Sequence, residues 1–287
     1  MMCRVLMVYC SGFYRWVYSL NSERRKEDNR FKDLIKILHA ESYGSFGIRR
    51  MTNRLRAQGI KINQKRIRRL MRELGLQGKG TPKKKKFIPT TDSSHTNPIA
   101  PNHLGRQFTV SEPNRWWVGD ITYIWTDEGW AFLAIVLDLF SRKVVGWAMD
   151  KEIKANLVIR ALENAVISRQ PGSNLTFHSD RGVQYASSTF RSILATYGIR
   201  QSMSRKANCW DNAVSESFFG SIKTERIQEL KICSFQHAKN IVFDYIETFY
   251  NKWRPHSFLL KRSPNEWEHD TSLNPHLILI RNSLLLK

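Results

Sequence analysis

The chain has 287 residues, with 46 Lys and Arg against 25 Asp and Glu, a formal net charge of +21. Residues 1–90 carry a net charge of +17, and the other 197 residues carry only +4. The length allows one large domain or two, and the uneven charge favours a polyanion-binding module joined to a separate folded body. A solvated basic face that only aids solubility is the alternative interpretation.

The composition gives no sign of structural zinc, secretion or membrane insertion. None of the four cysteines forms a C-x-x-C pair or has a histidine at zinc-finger spacing. Residues 1–20 are fairly apolar, but Arg4 and Arg15 interrupt them and no small-residue cleavage site follows. The apolar run at 130–140 is too short to span a bilayer. We therefore expect a reduced cytoplasmic chain with no structural zinc and no targeting or membrane segment.

Residues 1–78 are predicted to form a helical DNA-binding region. Apolar residues recur at helical spacing from Ile48 until Gly59, and Asn63 then caps a second helix that ends before Gly75. The second helix is apolar on one side and cationic on the other, its candidate DNA contacts being Arg66, Arg68, Arg69 and Arg72. This pattern is typical of a helix-turn-helix, although a plain amphipathic helix pair fits the motif alone.

Residues 79–115 are predicted to be a linker or an extended arm over DNA, because they are rich in Lys, Pro, Thr, Ser and Asn. Further candidate DNA contacts in this segment are Lys83, Lys84, Lys85 and Lys86. A nuclear-type address is the weaker interpretation of these lysines.

Residues 116–268 are predicted to form an α/β core, followed by a divergent tail at 269–287. Three strands in a meander and then alternating strands and helices indicate a mixed sheet flanked by helices. Strands are predicted at 116–125, 130–140, 143–149, 175–179 and 199–203. Helices are predicted at 154–169, 185–197, 212–227 and 235–253.

Asp120 and Asp138 are two carboxylates inside apolar strand sequences. An ionised carboxylate in a buried strand costs several kcal/mol unless it is paired or bound to a metal. Asp120 is therefore a candidate metal ligand, with a buried Asp satisfied by backbone and hydroxyl donors as the alternative. Asp138 precedes Ser141 and Arg142, which lie close enough in sequence to bond it, and we expect it to be structural.

Asp180, Glu216 and Lys223 each have an ordinary explanation when taken alone. Asp180 follows a predicted strand and precedes a glycine turn, which suits either a cleft residue or a simple turn. Glu216 lies in the first turn of a helix that Asp211 or Asn212 can cap, where it interacts with the helix dipole. Lys223 lies two turns further along that helix, as a surface lysine would.

Together, Asp120, Asp180 and Glu216 form an ordered set, with 59 and 35 residues between successive members. Here the sequence resembles the retroviral-integrase superfamily of DDE enzymes and, more closely, the second-reading-frame product of bacterial insertion-sequence transposases. The resemblance covers residues 3–268. The matching strings include W-V-G-D-I-T-Y-I (117–124), L-D-L-F-S-R-K-V-V-G-W (137–147), H-S-D-R-G-V-Q-Y (178–185), D-N-A-V-S-E-S-F-F-G-S-I-K-T-E (211–225) and Y-N-K-W-R-P-H-S (250–257).

The resemblance implies an RNase-H-like fold with a mixed five-stranded sheet, preceded by the all-α helix-turn-helix region. It also implies that Asp120, Asp180 and Glu216 hold two Mg²⁺ ions, with Mn²⁺ as a substitute, and that Lys223 contacts DNA near the scissile phosphate. The implied activity is cleavage of element-end DNA and its transfer to a target strand. The implied partners are double-stranded DNA, an upstream-frame transposase protein and further copies of the chain assembled on DNA.

The sequence departs from the family pattern at two places. Gly119 stands where relatives usually carry a hydroxyl residue, and Leu260 and Lys261 replace a Gly-Tyr pair. We expect the change at Gly119 to be tolerated, but because the C-terminal sequence is altered, a catalytically decayed or regulatory DNA-binding relative remains an alternative function. A nuclease of the same fold that cuts without joining is a further alternative, although it has no evident need for the basic helices.

Overall fold

The computed structural model describes residues 9–20, 22–80, 95–205 and 209–285, which belong to two compact units divided after Gly80. The predicted Lys83–Lys86 contacts lie outside the described residues.

The first unit is helical, as predicted. Its helices are α1 (Cys10–Leu20), α2 (Glu23–Glu41), α3 (Ile48–Ala57) and α4 (Gln64–Glu73). The buried side chains of α3 and α4 are those on the predicted apolar faces, led by Met51, Leu55, Ile67 and Leu70.

The turn chemistry between α3 and α4 is also as predicted. Gly59 has a φ of +80°, a conformation that glycine adopts without the steric cost of a Cβ atom. Asn63 Oδ1 then accepts a hydrogen bond from the backbone N–H of Lys65 at 2.8 Å, which caps α4. Gly75 follows the C-terminal end of α4 with a φ of +66°. The predicted pair of helices around a glycine turn is therefore confirmed.

The second unit is built on a mixed five-stranded sheet, which confirms the predicted fold class. The strands lie in the order β3-β2-β1-β4-β5, where β1 pairs antiparallel with β2 and parallel with β4. The strand bounds are β1 (Trp116–Thr126), β2 (Gly129–Asp138), β3 (Val144–Asp150), β4 (Thr176–Ser179) and β5 (Arg200–Met203).

One face of this sheet carries α5 (Ala155–Arg169) and two shorter helices, α6 (Val183–Ala186) and α7 (Ser188–Thr196). A Cβ atom on Gly146 would lie 2.3 Å from the carbonyl oxygen of Ala161, so only glycine allows α5 to approach β3 so closely. A single helix was predicted where α6 and α7 stand. Ser187 divides them because its extended backbone breaks the first helix and its Oγ accepts from Phe190 N to cap the second.

The rest of the second unit is helical, and two of its helices continue as π-helix. These elements are α8 (Ala213–Ile222) with a π-helical segment at Lys223–Ile227, α9 (Phe235–Phe243) with a second at Asp244–Tyr250, α10 (Pro264–Leu273) and α11 (His276–Leu285). The predicted helices at 212–227 and 235–253 are confirmed in position, but neither is α-helical throughout.

The C-terminal residues pack against the sheet unit, although the sequence pattern gave no helix there. Trp267 and Arg281 are fully buried. The Arg281 guanidinium donates to the carbonyl oxygens of Phe140 at 3.0 Å and Val110 at 2.7 Å, and it stacks against Trp267. This arginine anchors α11 to the unit through backbone acceptors rather than through a carboxylate.

Within the described ranges, no helix combines the length and apolar character that a membrane crossing needs.

Candidate active site

Asp120 lies just beyond the part of β1 that pairs with β4, where β2 is the remaining paired strand. β2 pairs with β1 along its whole length, whereas β4 pairs only with Trp116–Val118. In that parallel register Val118 stands opposite His178, so two further residues bring Asp120 and Asp180 to corresponding positions. The end of β4 therefore leaves one edge of β1 without a strand partner at Asp120, and Asp180 follows directly after β4.

Gly119 is needed for this arrangement. A Cβ atom at this position would lie 2.3 Å from Cζ of Phe177, a buried residue of the neighbouring strand β4. The departure from the family pattern at Gly119 thus has a packing consequence, because it lets the Phe177 ring close against β1 directly before Asp120.

Asp120 carries an electrostatic cost. Burial raises the pKa of this carboxyl well above its ordinary value, and the nearby carboxylates of Asp180 and Glu216 raise it further. Its Oδ1 accepts one hydrogen bond, from the N–H of Ile121 at 2.8 Å, and Lys223 opposes the shift by favouring the ionised form. The two other predicted carboxylates are therefore near enough to act on Asp120.

Asp180 lies just before the first residue of α6, and Glu216 lies in the first turn of α8. Asp180 Oδ1 accepts from the N–H of Gly182 at 2.9 Å, which fixes the turn between β4 and α6. Glu216 is exposed in the first turn of α8, and partial burial raises its pKa. Tyr185 is buried beside these acids, and burial, Asp120 and Asp180 together raise the pKa of its hydroxyl.

Lys223 is the cation whose charge acts on these acids, because it opposes the upward shift in the pKa of Asp120. It stands at the junction of α8 and the π-helical segment, with its Nζ 4.5 Å above the centre of the Tyr123 ring. Burial lowers the pKa of its ammonium group, while the Asp120 carboxylate opposes that shift.

The donor set suits a hard divalent cation, because three carboxylates supply oxygen ligands and their mutual repulsion favours a positive charge among them. With the side chains as they stand, no three His, Cys, Asp or Glu residues in the described part of the chain are grouped closely enough to hold a metal ion. The fit is therefore one of chemistry and electrostatics, without a closed coordination shell.

Asp138 has the structural environment expected of it, but with different partners. Its oxygens accept from the N–H groups of Asn114 and Phe140, each at 2.8 Å, and Arg169 lies 3.7 Å away. Burial raises its pKa to about 6. The expected side-chain bonds from Ser141 and Arg142 are not formed, since Ser141 donates to Glu268 and Arg142 to the carbonyl of Phe108.

The start of α8 is held by a cluster that the sequence analysis did not predict. Asn212 occupies the N-cap position without a side-chain cap bond, and Asp211 instead binds Arg205, Arg106 and Asn102. Hydrogen bonds from Arg205 hold the pKa of Asp211 far below its ordinary value, although burial opposes this. Asn212 is therefore the N-cap residue, one of the two predicted, but its side chain makes no cap bond, and the ion-pair cluster around Asp211 lies at the start of the helix that carries Glu216.

A second unpredicted cluster surrounds Glu225, in the π-helical segment that begins at Lys223. Arg254 makes two hydrogen bonds to Glu225, at 2.6 and 2.7 Å, and both side chains are almost fully buried. Tyr245 Oη donates to the same carboxylate at 2.8 Å, and Arg254 also donates to Ser221. Both members of the ion pair lie in strings that carry the family resemblance. That resemblance is the signal by which the sequence could have identified them.

The four arginines of α4 separate into two kinds. Arg66 and Arg69 bind Asp28 at 2.7 and 2.6 Å, and their hydrogen bonds hold the pKa of that carboxyl below its ordinary value against the effect of burial. Arg68 and Arg72 are exposed on the same helix. Arg66 and Arg69 thus have a role inside the unit, and Arg68 and Arg72 present their charge to solvent.

Comparison with known proteins agrees with both units. An HTH-like domain model matches residues 26–86, and two integrase core domain models match residues 110–209 and 197–264. Transposase InsF for insertion sequence IS3A from Escherichia coli (strain K12) is 40% identical over 270 residues, 93% of each chain. A 31 kDa protein of insertion element IS600 from Shigella sonnei is 40% identical over 263 residues, 92% of this chain and 96% of that protein.

Among solved structures, the simian T-cell lymphotropic virus intasome in complex with PP2A regulatory subunit B56 gamma aligns over 82% of this chain and 74% of its own, with a TM-score of 0.48 and 16% identity. The HTLV-2 integrase catalytic core domain in complex with magnesium aligns over 54% of this chain and 95% of its own, with a TM-score of 0.41 and 18% identity.

The fold and the matched domains define a protein with an HTH-like domain and an integrase core of RNase-H-like type. The chain belongs to the family of insertion-sequence transposases that includes InsF of IS3.

Proposed function

We propose that this chain binds the terminal repeats of its element, nicks the DNA to free a 3′-hydroxyl and joins that end to a target strand, with Asp120, Asp180 and Glu216 as the catalytic carboxylates. The observation that carries the proposal is the parallel register of β1 and β4, which brings Asp120 and Asp180 to corresponding positions, with Asp180 and Glu216 both close enough to raise the pKa of the Asp120 carboxyl. A protein keeps such a costly arrangement where a charged group must later be bound.

The three carboxylates are the proposed ligands for two Mg²⁺ ions, with Mn²⁺ as a substitute. Such ions activate an attacking oxygen and offset charge on a leaving oxygen when bound at a phosphodiester. Asp120 and Asp180 supply oxygen donors from fixed positions on β1 and after β4, and Glu216 approaches from α8. Lys223 supplies a positive charge for the phosphate next to this group.

Both steps conserve atoms and phosphodiester chemistry. In cleavage, a water molecule loses a proton as its oxygen bonds to phosphorus, the bond to the 3′-oxygen breaks, and the departing oxygen takes up a proton. In joining, the freed 3′-hydroxyl loses its proton and bonds to a target phosphorus, and the target 3′-oxygen that leaves takes up a proton. One P–O bond forms as another breaks, so joining needs no external energy source.

The basic first unit is proposed to hold the DNA. Arg68 and Arg72, exposed on α4, are the arginines best placed to contact phosphates, and Lys83–Lys86 stay predicted contacts. Double-stranded DNA at the element ends and at the target is the proposed partner. We further propose that copies of the chain assemble on DNA and that an upstream-frame transposase protein takes part.

The test is incubation of the purified full-length chain with labelled element-end duplexes and Mg²⁺ or Mn²⁺. We expect metal-dependent nicked and joined products, and we expect Asp120→Asn and Glu216→Gln to abolish both while DNA binding by fluorescence anisotropy is retained. Glu163→Gln on α5 is the matched control and should leave the products unchanged.

Two results would contradict the proposal. Unchanged strand transfer in Asp120→Asn would refute the site assignment. Binding without cleavage in either metal would favour a regulatory DNA-binding relative.

A further inference from the structure

Three aromatic side chains, Tyr123, Trp125 and Trp130, form a cluster at the turn end of the β1–β2 hairpin; we call them the hairpin aromatics. Trp130 makes edge contacts with Trp125 at 4.8 Å and with Tyr123 at 5.0 Å between ring centres. Trp125 is 58% exposed and Trp130 is 42% exposed. Large aromatic rings in solvent, packed on one another, are typical of a binding surface.

The hairpin aromatics are continuous with the candidate active site. Asp120 interacts electrostatically with Lys223, and Lys223 Nζ lies 4.5 Å above the Tyr123 ring, which in turn contacts Trp130. Tyr123 and Trp125 follow Asp120 on the same strand by three and five residues. At about 3.4 Å per residue they lie roughly 10 and 17 Å along the strand from Asp120. Because three and five are odd offsets, their side chains leave the opposite face of β1, so the connection to the acids runs through Lys223.

The acidic side chains of the turn do not make this surface repel a polyanion. Asp127 lies 3.7 Å from the ammonium group of Lys231, and Glu128 lies 3.2 Å from that of Lys151. Each carboxylate in the turn is therefore matched by a lysine, and Lys223 adds a positive charge at the end nearer Asp120.

A positive charge beside exposed aromatic faces is the chemistry that binds single-stranded nucleic acid, because every base has a face that stacks on an aromatic ring. Bases of an intact duplex are stacked on one another and present only their edges. We propose that the hairpin aromatics stack unpaired bases of the element end, within roughly five nucleotides of the scissile phosphate, an upper bound set by the duplex spacing of about 3.4 Å per nucleotide. This inference rests on the proposed function, since it takes the scissile phosphate to lie at Asp120.

The experiment uses the full-length Asp120→Asn chain in Mg²⁺, so that binding is measured without cleavage. The probes are two element-end duplexes with 2-aminopurine four nucleotides from the cleavage position, one fully paired and one mismatched over that stretch. We expect 2-aminopurine fluorescence to be quenched on the mismatched duplex. We also expect Trp125→Ala or Trp130→Ala to remove the quenching and to weaken binding of that duplex about fivefold or more.

Matched variants separate stacking from other effects. Trp125→Phe should restore the quenching, because a smaller ring still stacks. Tyr197→Ala, at a residue that is 40% exposed beyond the end of α7, should leave quenching and affinity unchanged. Affinity for the fully paired duplex should be the same in all these variants.

Equal quenching and equal affinity in Trp125→Ala, Trp130→Ala and the parent chain would overturn the inference. So would a change in sedimentation coefficient in place of a change in quenching, since that result would assign the surface to contact between copies. These readouts are independent of cleavage, so an inactive wild-type chain that still quenches would refute the proposed function and leave the stacking surface standing.

Discussion

Asp120 and Asp138 are both carboxylates inside apolar strands with raised pKa values, but their partners differ. Asp138 is satisfied by two backbone N–H groups and has Arg169 within reach, so the chain has supplied donors for it. Asp120 has one local N–H and faces two further carboxylates. Neighbouring carboxylates make the ionised form of Asp120 more costly in free energy. Such an acid does not stabilise the fold, so it serves another purpose.

We predict that Asp120→Ala raises the free energy of unfolding of the metal-free chain at pH 7. A folded-state pKa above the unfolded value means that the folded chain binds more protons between the two values, so stability falls as pH rises through that interval. Alanine does not titrate, so the advantage of the variant should grow from pH 4 to pH 7. Thermal unfolding followed by circular dichroism in EDTA measures this.

Asp138→Ala is the matched control and should lose stability, because two buried N–H groups lose their acceptor, at about 1–3 kcal/mol each. Mg²⁺ should then raise the unfolding temperature of the wild-type chain and leave Asp120→Ala unchanged. A metal-free Asp120→Ala chain that is less stable than wild type at pH 7 would show that this carboxylate contributes to the fold.

At the scale of elements, the two π-helical segments are joined by the hydrogen bond from Tyr245 to the buried Glu225 carboxylate, which Arg254 also binds. Glu225 belongs to the segment that begins at Lys223, and Tyr245, which shares its carboxylate, belongs to the second segment. π-Helical turns are rare and frequently occur at functional sites. The ion pair therefore fixes the turn that presents Lys223 towards the acids.

We predict that Arg254→Met lowers the free energy of unfolding by about 3–5 kcal/mol, because it removes the guanidinium that makes two hydrogen bonds to the buried Glu225 carboxylate. The double variant Glu225→Gln/Arg254→Met should recover much of that loss, since neither side chain then carries a charge. Urea denaturation of the full-length chain measures both. Lys154→Met, which breaks an exposed ion pair with Glu152, is the control and should leave the midpoint unchanged; a double variant as unstable as Arg254→Met would contradict the account.

The loop before α10 carries backbone strain at a position where the sequence departs from its family. Leu260 and Lys261 have φ values of +52° and +68°, a region in which a side chain costs roughly 1–2 kcal/mol. We predict that Lys261→Gly raises the unfolding temperature by about 2–4 °C, since the exposed lysine side chain loses little on removal. Lys261→Ala keeps the strained Cβ atom and should give no gain, so an equal gain from alanine would refute strain as the cause.

Most strands and helices of this chain could be predicted because their signals are local. Alternating apolar runs and glycine or asparagine turns located β1 to β3 and the α3–α4 pair within a few residues. The α10 helix was missed, although Ser263, Pro264 and Glu266 form a capping box with proline in the first turn, which is also a local signal. α11 was missed because its anchor, Arg281, is a buried charge satisfied by distant carbonyls.

The candidate site was predictable only in part, because some of its features are local in sequence and others depend on long-range contacts. The order and spacing of Asp120, Asp180 and Glu216 can be read from the chain, because each lies in a recognisable string. The partners of Asp211 and Glu225 cannot, since Arg106 and Arg254 lie 105 and 29 residues away and only the fold brings them together. Residue spacing identifies candidates, and long-range ion pairs determine how rigidly they are held.

For the whole molecule, the net charge and its uneven distribution follow directly from the sequence. A net charge of +17 over residues 1–90 is expected to contact DNA phosphates and to release counterions, so the affinity should fall with salt concentration. Arg66 and Arg69 are engaged with Asp28, whereas Arg68 and Arg72 are exposed on α4. We therefore expect the two exposed arginines to be the members of this set that neutralise phosphate.

We predict that Arg68→Ala/Arg72→Ala reduces the slope of log affinity against log salt concentration by about 1.8, at about 0.9 per phosphate contact. Fluorescence anisotropy with an element-end duplex from 50 to 300 mM salt measures the slope. Lys239→Ala/Lys252→Ala removes the same charge from exposed positions of the second unit and should leave the slope nearly unchanged. Equal changes in both double variants would mean that total charge, and not the exposed face of α4, determines how the chain holds DNA.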